Sequence, residues 1–267
     1  MSEIQGPLIT KDSLCADLRA LGVAEGMTLL VHSSYKSLGG FVAGGPVAVI
    51  LALEEALGET GTLVVPTHSG DLSDPSGWRN PPVPEAWWET IREQMPAYDP
   101  DLTPLWYMGV IPELFRKQRG TIRSAHPNVS FAARGAKARE ITECHGLEYG
   151  LGETSPLARI YEAEGWVLLL GVGHGNNTSI HLAEYRADYP GKKETVQKAP
   201  MMVNGQKKWV AYREVEIDAE DFDRIGADFE RDTGLVRRGN LAGAACLLMP
   251  QKPLVDYAVD WMTRNRK

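Results

Sequence analysis

Cysteine is scarce in this chain: Cys15, Cys144 and Cys246 lie far apart and show no metal-ligand spacing. That excludes a disulfide scaffold and a cysteine-built zinc site, and it fits a reduced, cytoplasmic setting. No run of 18 apolar residues occurs and the first residues form no apolar signal core, so neither a membrane partner nor a secretory leader is expected. Basic tracts are missing too. With 28 Lys and Arg against 35 Asp and Glu the net charge is −7, which argues against nucleic acid and favours a cationic small molecule. There is no Gly-x-Ser-x-Gly nucleophile elbow, no phosphate loop ending in Gly-Lys-Ser/Thr, and no internal repeat.

What is present alternates between helix and strand. At 43% hydrophobic the chain can bury one substantial core, so a single domain over 1–267 is expected. Thr10 or Asp12 caps a helix that Gly22 stops. Met27 to His32 reads as a buried strand, Pro46 to about Leu57 as a helix begun by proline, and Thr62 to Pro66 as a second strand. From about 67 to 103 periodicity fails among Pro75, Pro81, Pro82, Pro84, Pro96, Pro100 and the tryptophans Trp78, Trp87 and Trp88. So long an irregular stretch reads as a lid-like minor subdomain. A helix over Met108–Lys117, a loop over Arg123–Ser130, a strand at Trp166, a final β-rich section starting near Met201 with Asn204-Gly205 as a hairpin turn, and a last helix from about Pro253 complete the expectation. The predicted class is α/β, a central mixed sheet flanked by helices.

The stretch from Trp166 to Tyr185 is the most informative. An apolar strand runs into Gly171-Val172-Gly173-His174-Gly175, and then into a helix that Asn176, Asn177 or Thr178 can cap. His181 sits within a turn of that helix start, where the partial positive charge disfavours imidazolium. A neutral, placed imidazole is what a general base needs. Glu184, three residues on, shares its face and could orient His181 or bind a cationic amine; the short spacing slightly favours the second role. The pair could also be half of a metal site, but no second such pair exists, so no metal is expected.

Two loops can bind anions. After the first strand, Ser33-Ser34 leads through Ser37-Leu38-Gly39 to Gly44-Gly45, a form that can cradle phosphate on backbone N–H groups or serve as an ordinary glycine turn. Arg123-Ser124 with His126-Pro127 offers a guanidinium and hydroxyls to phosphate or carboxylate, or forms a salt-bridged loop.

Four segments together resemble the aminoglycoside N3-acetyltransferase family of antibiotic N-acetyltransferases. They are Val31-His32-Ser33-Ser34 through Leu38-Gly39 to Gly44-Gly45; Thr103-Pro104 with Met108-Gly109; Arg123-Ser124 with His126-Pro127 and Ser130; and Thr178 with His181-Leu182-Ala183-Glu184. They span most of the first 190 residues in family order. The resemblance implies acetyl-CoA as co-substrate, an aminoglycoside acceptor modified on the 3-amino group of 2-deoxystreptamine, and no metal. It implies a coenzyme cleft lined by His32, Ser33, Ser34, Ser37, Leu38, Gly39, Arg123, Ser124 and Ser130. His181 would be the base in a ternary complex, helped by Glu184. Asp71, Glu184 and Glu214 are expected to bind the acceptor, with Asp74, Asp99 and Asp101 as further candidates. The alternatives are acetylation of another small amine, or an acyl hydrolase using Ser33 or Ser34. A monomer or homodimer is expected.

Overall fold

A computed structural model describes residues 6–267, so the first five residues of the expected domain lie outside the description. The chain runs through β1 (Leu8–Ile9), α1 (Lys11–Leu21), β2 (Thr28–Ser33), a 3-10 turn at Tyr35–Leu38, β3 (Phe41–Val42), α2 (Gly45–Leu57) and β4 (Thr62–Pro66). Next come α3 (Trp88–Gln94), α4 (Val110–Phe115), β5 (Ile122–Arg123), β6 (Phe131–Gly135), α5 (Ala138–Thr142), α6 (Pro156–Glu162) and β7 (Trp166–Leu170). The remainder is α7 (Ser179–Arg186), β8 (Glu194–Val203), β9 (Gln206–Val215), α8 (Phe222–Thr233), β10 (Arg237–Leu241), β11 (Ala244–Pro250) and α9 (Gln251–Asn265).

Seven strands form the expected mixed sheet, in the order β10-β11-β7-β2-β4-β6-β5. Its centre, β7-β2-β4, is parallel, and antiparallel strands extend it on both sides. Leu29–Val31, Leu63–Val65 and Val167–Leu170 are wholly buried because helices cover both faces, which is why they read as unbroken apolar runs. Alternation along β2 sends Leu29 and Val31 to a core with α1, α2 and α4, while Leu30 joins a second core built on α5 to α9. His32 therefore shares its face with α7.

Local signals explain the best-placed elements. Thr10 caps α1 through a reciprocal pair with Ser13, and Asn204-Gly205 turns the β8–β9 hairpin as expected. That hairpin starts at Glu194, earlier than Met201, and forms a separate two-stranded sheet. Met108–Lys117 is corrected to the shorter α4, preceded by Gly109 at φ +86°. Short α5 and α6, and α8, have no counterpart among the sequence expectations, whereas β10 and β11 fall in the expected β-rich section. In α8 the signal is diluted by Gly226, which has a packing reason: a Cβ there would lie 2.0 Å from the His174 ring. Residues 67–103 are irregular apart from α3 and two 3-10 turns. Among the described residues no helix is long and apolar enough to cross a membrane.

Candidate active site

The parallel strands β7, β2 and β4 end together, and in such sheets the crevice beyond the carboxyl ends is where ligands bind. β7 breaks at Gly171, whose φ of +66° and whose distance of 1.8 Å from a built Cβ to Ser37 Oγ leave room for no side chain. A 3-10 turn at His174–Asn176 follows, and then α7. The side-chain cap comes from Asn177, whose Oδ1 accepts the Ser179 N–H at 3.3 Å, and not from Thr178.

His181 lies in the first turn of α7, its side chain 15% exposed and its ring edge-on to Phe222 at 4.7 Å. Its Nδ1 meets Glu184 Oε2 at 2.5 Å. Glu184 is fully buried, and its Oε1 accepts the Asp218 N–H at 2.8 Å and Arg266 Nη1 at 2.6 Å. The expectation that Glu184 binds an acceptor amine is thereby corrected: the carboxylate sits beneath the imidazole with its oxygens taken. With Glu184 ionised, Nδ1 donates and Nε2 is left with a lone pair.

Two more imidazoles stand at the strand ends. His32 and His68 are each pushed down to about 3, by burial first and then by the charge that His181 can carry. Each has an Nε2 that is buried without a hydrogen-bond partner among the described residues. Ser33 Oγ is also buried without a partner, but it lies on the opposite strand face from His32, and no hydrogen bond joins Ser33 or Ser34 to His181. A serine nucleophile poised against this base is not what the geometry offers.

Beside α7 opens a cavity of about 490 Å³, lined by Tyr185, Glu194, Glu214, Glu216 and, at its edge, Gly70. Tyr185 is four residues beyond His181 and so on the same helix face. Gly70 also lines a second cavity, of about 440 Å³, walled by Trp78, Met95 and Trp106, where half-burial raises the Asp71 carboxyl above its ordinary range. The β8–β9 hairpin braces this region, since Trp209 Nε1 donates to the Arg92 carbonyl at 2.9 Å. Among the described residues no group of three His, Cys, Asp or Glu could hold a metal ion.

With that geometry in view, the model of the aminoglycoside 3-N-acetyltransferase family matches residues 30–263. The chain belongs to this family. It is therefore an acyltransferase. It is 47% identical over 257 residues to an aminoglycoside N(3')-acetyltransferase-like protein, YokD, of Bacillus subtilis, covering 96% of this chain and 93% of the relative. It is 38% identical to aminoglycoside N(3)-acetyltransferase VII of Streptomyces paromomycinus, over 96% and 92% of the two chains. The crystal structure of YokD superimposes with a TM-score of 0.94, covering 98% of this chain and 96% of that one. The binary complex of AAC-IIIb with CoASH matches at 33% identity and a TM-score of 0.85 over 96% and 97%. AAC-VIa bound to sisomicin matches at 29% and 0.85 over 96% and 98%.

Arg123, Ser124 and Ser130, expected at the coenzyme cleft, are buried with their polar groups bonded inside the fold. Arg123 spends its guanidinium inside: Nε on Ser130 Oγ, Nη1 on the Thr103 and Pro100 carbonyls, Nη2 on the Thr67 carbonyl and Ser69 Oγ. Ser124 bonds His145 and the Phe131 N–H, and Ser130 donates to the Thr67 carbonyl. These residues pin the irregular segment to the sheet. Ser37 Oγ likewise turns back on the Ser34 carbonyl at 2.6 Å, and the Leu38 side chain is core. Of the cleft set, His32, Ser33, Ser34 and the Gly39 backbone remain at the strand ends. Asp74 is consumed by Arg92 at 2.8 Å, and Asp99 caps the Asp101 and Leu102 N–H groups. Glu214 lines the larger cavity, where its Oε1 accepts the Tyr185 hydroxyl and the Val215 N–H and its Oε2 accepts the Gly150 N–H.

The correction predicts a phenotype. Arg123→Ala strands several buried acceptors and should cost about 3 kcal/mol of stability in urea unfolding, with acetyl-CoA affinity unchanged in the folded fraction. Unaltered stability with weakened acetyl-CoA binding would return Arg123 to the coenzyme cleft.

Proposed function

We propose that the protein transfers the acetyl group of acetyl-CoA to the 3-amino group of the 2-deoxystreptamine ring of an aminoglycoside, with both substrates bound together. One juxtaposition carries this reading: a single helix face presents His181, backed by a buried carboxylate, and Tyr185, which opens on the acid-lined cavity. Glu184 holds Nδ1–H, so Nε2 is the basic nitrogen. It takes the proton of the amine as nitrogen attacks the acetyl carbonyl; the new C–N bond replaces the C–S bond, and the proton passes from Nε2 to the departing thiolate, which leaves as the CoA thiol. Such base assistance is worth about 10²- to 10⁴-fold, and holding both substrates in line contributes as much or more.

Charge supports the acceptor class. Glu194, Glu214 and Glu216 line one cavity and Asp71 the next, and a polyamine matches them. The relative that binds sisomicin and the one that binds CoASH share this fold closely, which supports the same substrate classes here. The orphaned His32 and His68 are neutral polar groups near the base, left for substrate atoms.

A thiol-release assay with acetyl-CoA and a panel of aminoglycosides tests the reading. Turnover is expected, with the acceptor KM rising as salt screens the exposed charge pairs while the acetyl-CoA KM changes less. Absence of CoA release with every aminoglycoside, but release with an uncharged amine, would overturn the acceptor assignment.

A further inference from the structure

Glu184 depends on a residue 82 positions away. Arg266 follows α9 directly, and its guanidinium lies 12% exposed against α7 and the segment before α8. Its Nε and Nη2 fork onto the two carboxylate oxygens of Asp221 at 2.8 and 2.6 Å, and Nη2 also reaches the Asp218 carbonyl at 2.7 Å. That seat aims Nη1 at Glu184 Oε1, with the Tyr189 hydroxyl at 3.3 Å as its other partner. A bidentate anchor of this kind fixes the plane of a guanidinium as well as its position.

We propose that Arg266 is a positioning residue for acetyl transfer: seated on Asp221, it holds the Glu184 carboxylate so that the carboxylate orients His181 without claiming its proton balance. The proposal rests on His181 being the base. Its physical core is the charge of Glu184. A fully buried carboxylate needs a compensating cation. With Arg266 in place the cation is the guanidinium, and the imidazole can remain neutral. Without it the nearest group able to supply positive charge is His181 itself, and an opposite charge at hydrogen-bond distance favours imidazolium. A base that is already protonated accepts nothing from the amine.

The other groups around the pair leave this logic standing. Asp221 is occupied by Arg266, Asp218 contributes its main chain, and Phe222 covers the imidazole with an apolar edge. His32 from β2 and His68 from beyond β4 are held neutral by burial. For Arg266 itself burial works to lower the pKa, and the hydrogen bonds and charges of Asp221 and Glu184 overcome that and raise it. The guanidinium is thus a permanent charge.

The test compares Arg266→Gln, which keeps an amide donor and most of the stem, with Arg266→Lys, which keeps the charge. Arg266→Gln is expected to lower kcat by about 10- to 100-fold, in line with losses of groups that orient a reacting side chain. Its acetyl-CoA dissociation constant should stay within about twofold, and the acidic limb of its kcat/KM–pH profile should move up by about one pH unit or more. Arg266→Lys should bring the limb back and recover most of the rate. An unmoved limb in Arg266→Gln, whatever its rate, would overturn the proposal, because a merely structural defect lowers activity at all pH values alike. If Arg266→Gln has no measurable turnover, Arg266→Lys decides: a recovered rate supports the proposal, and no recovery in a folded protein ends it. His181→Ala, assayed alongside, separates the failures. Turnover retained in that variant would refute the base reading itself, whereas its loss beside a parental Arg266→Gln would refute the positioning role alone.

Discussion

Replacing His181 with alanine should cut kcat by about 10²- to 10⁴-fold while the acetyl-CoA dissociation constant stays within about twofold of the parent. The loss is large because the amine must shed a proton as it attacks, and Nε2 of His181 is the lone pair that the Glu184 contact leaves available. Binding should survive because the imidazole is small and its polar partner Glu184 keeps Arg266 and the Asp218 N–H when the ring is removed. Steady-state rates with titration calorimetry on the purified variant make the comparison. Turnover within tenfold of the parent would remove His181 from the base role.

Acid should unfold this protein well above the pH at which its carboxylates protonate. His32, His68 and His126 are pushed down to about 3 and His145 to about 4, in each case by burial first. At His126 the hydrogen bonds that Nδ1 accepts reinforce burial, whereas at His145 the bond to the Gly150 carbonyl opposes it and burial prevails. His126 Nδ1 accepts the Asn128 and Val129 N–H groups at 3.2 and 3.1 Å, a role that imidazolium cannot fill. His145 places Nδ1 against the Ser124 hydroxyl and Nε2 against the Gly150 carbonyl. The unfolded chain takes up protons at its histidines below about pH 6.5, whereas the native state refuses them until about pH 3 to 4. Stability is therefore intact above pH 6.5 and is lost as the pH falls through the window below it. At pH 5 each histidine costs about 2 kcal/mol and the four together about 8, against a total of about 5–15 for a folded domain. Urea midpoints at pH 7.5 and 5.0 should differ sharply, and replacing His126 by glutamine should narrow the gap. Equal midpoints at the two pH values would show that the four histidines do not carry the acid sensitivity.

Local signals proved readable in the sequence, and long-range ones did not. The Thr10 cap, the apolar runs of β2, β4 and β7, and the break at Gly171 each act through neighbours in the chain, so residue type alone announces them. The segment around His181 was legible for the same reason. Arg123 was not, because a guanidinium on phosphate and one on five protein oxygens look alike until the fold brings Thr67, Ser69, Pro100, Thr103 and Ser130 to it. Glu184 misled through its spacing. An i,i+3 pair seldom joins a ring to a carboxylate, yet here Arg266 and the Asp218 N–H hold the other oxygen and the wholly buried side chain has no alternative. Tyr185 could have been found four residues after His181, on the face that meets the cavity. For Arg266 no signal in the sequence existed, since its partners are Glu184 and Asp221 and only the packing of α9 on α7 brings them together.

The most direct measurement is two-dimensional NMR of the product formed from acetyl-CoA and an aminoglycoside containing 2-deoxystreptamine. A single acetyl amide on the 3-amino nitrogen is expected, formed by the parent enzyme and absent with His181→Ala under the same conditions. Acetylation at another nitrogen or at a hydroxyl, or CoA released with free acetate and an unmodified aminoglycoside, would contradict it.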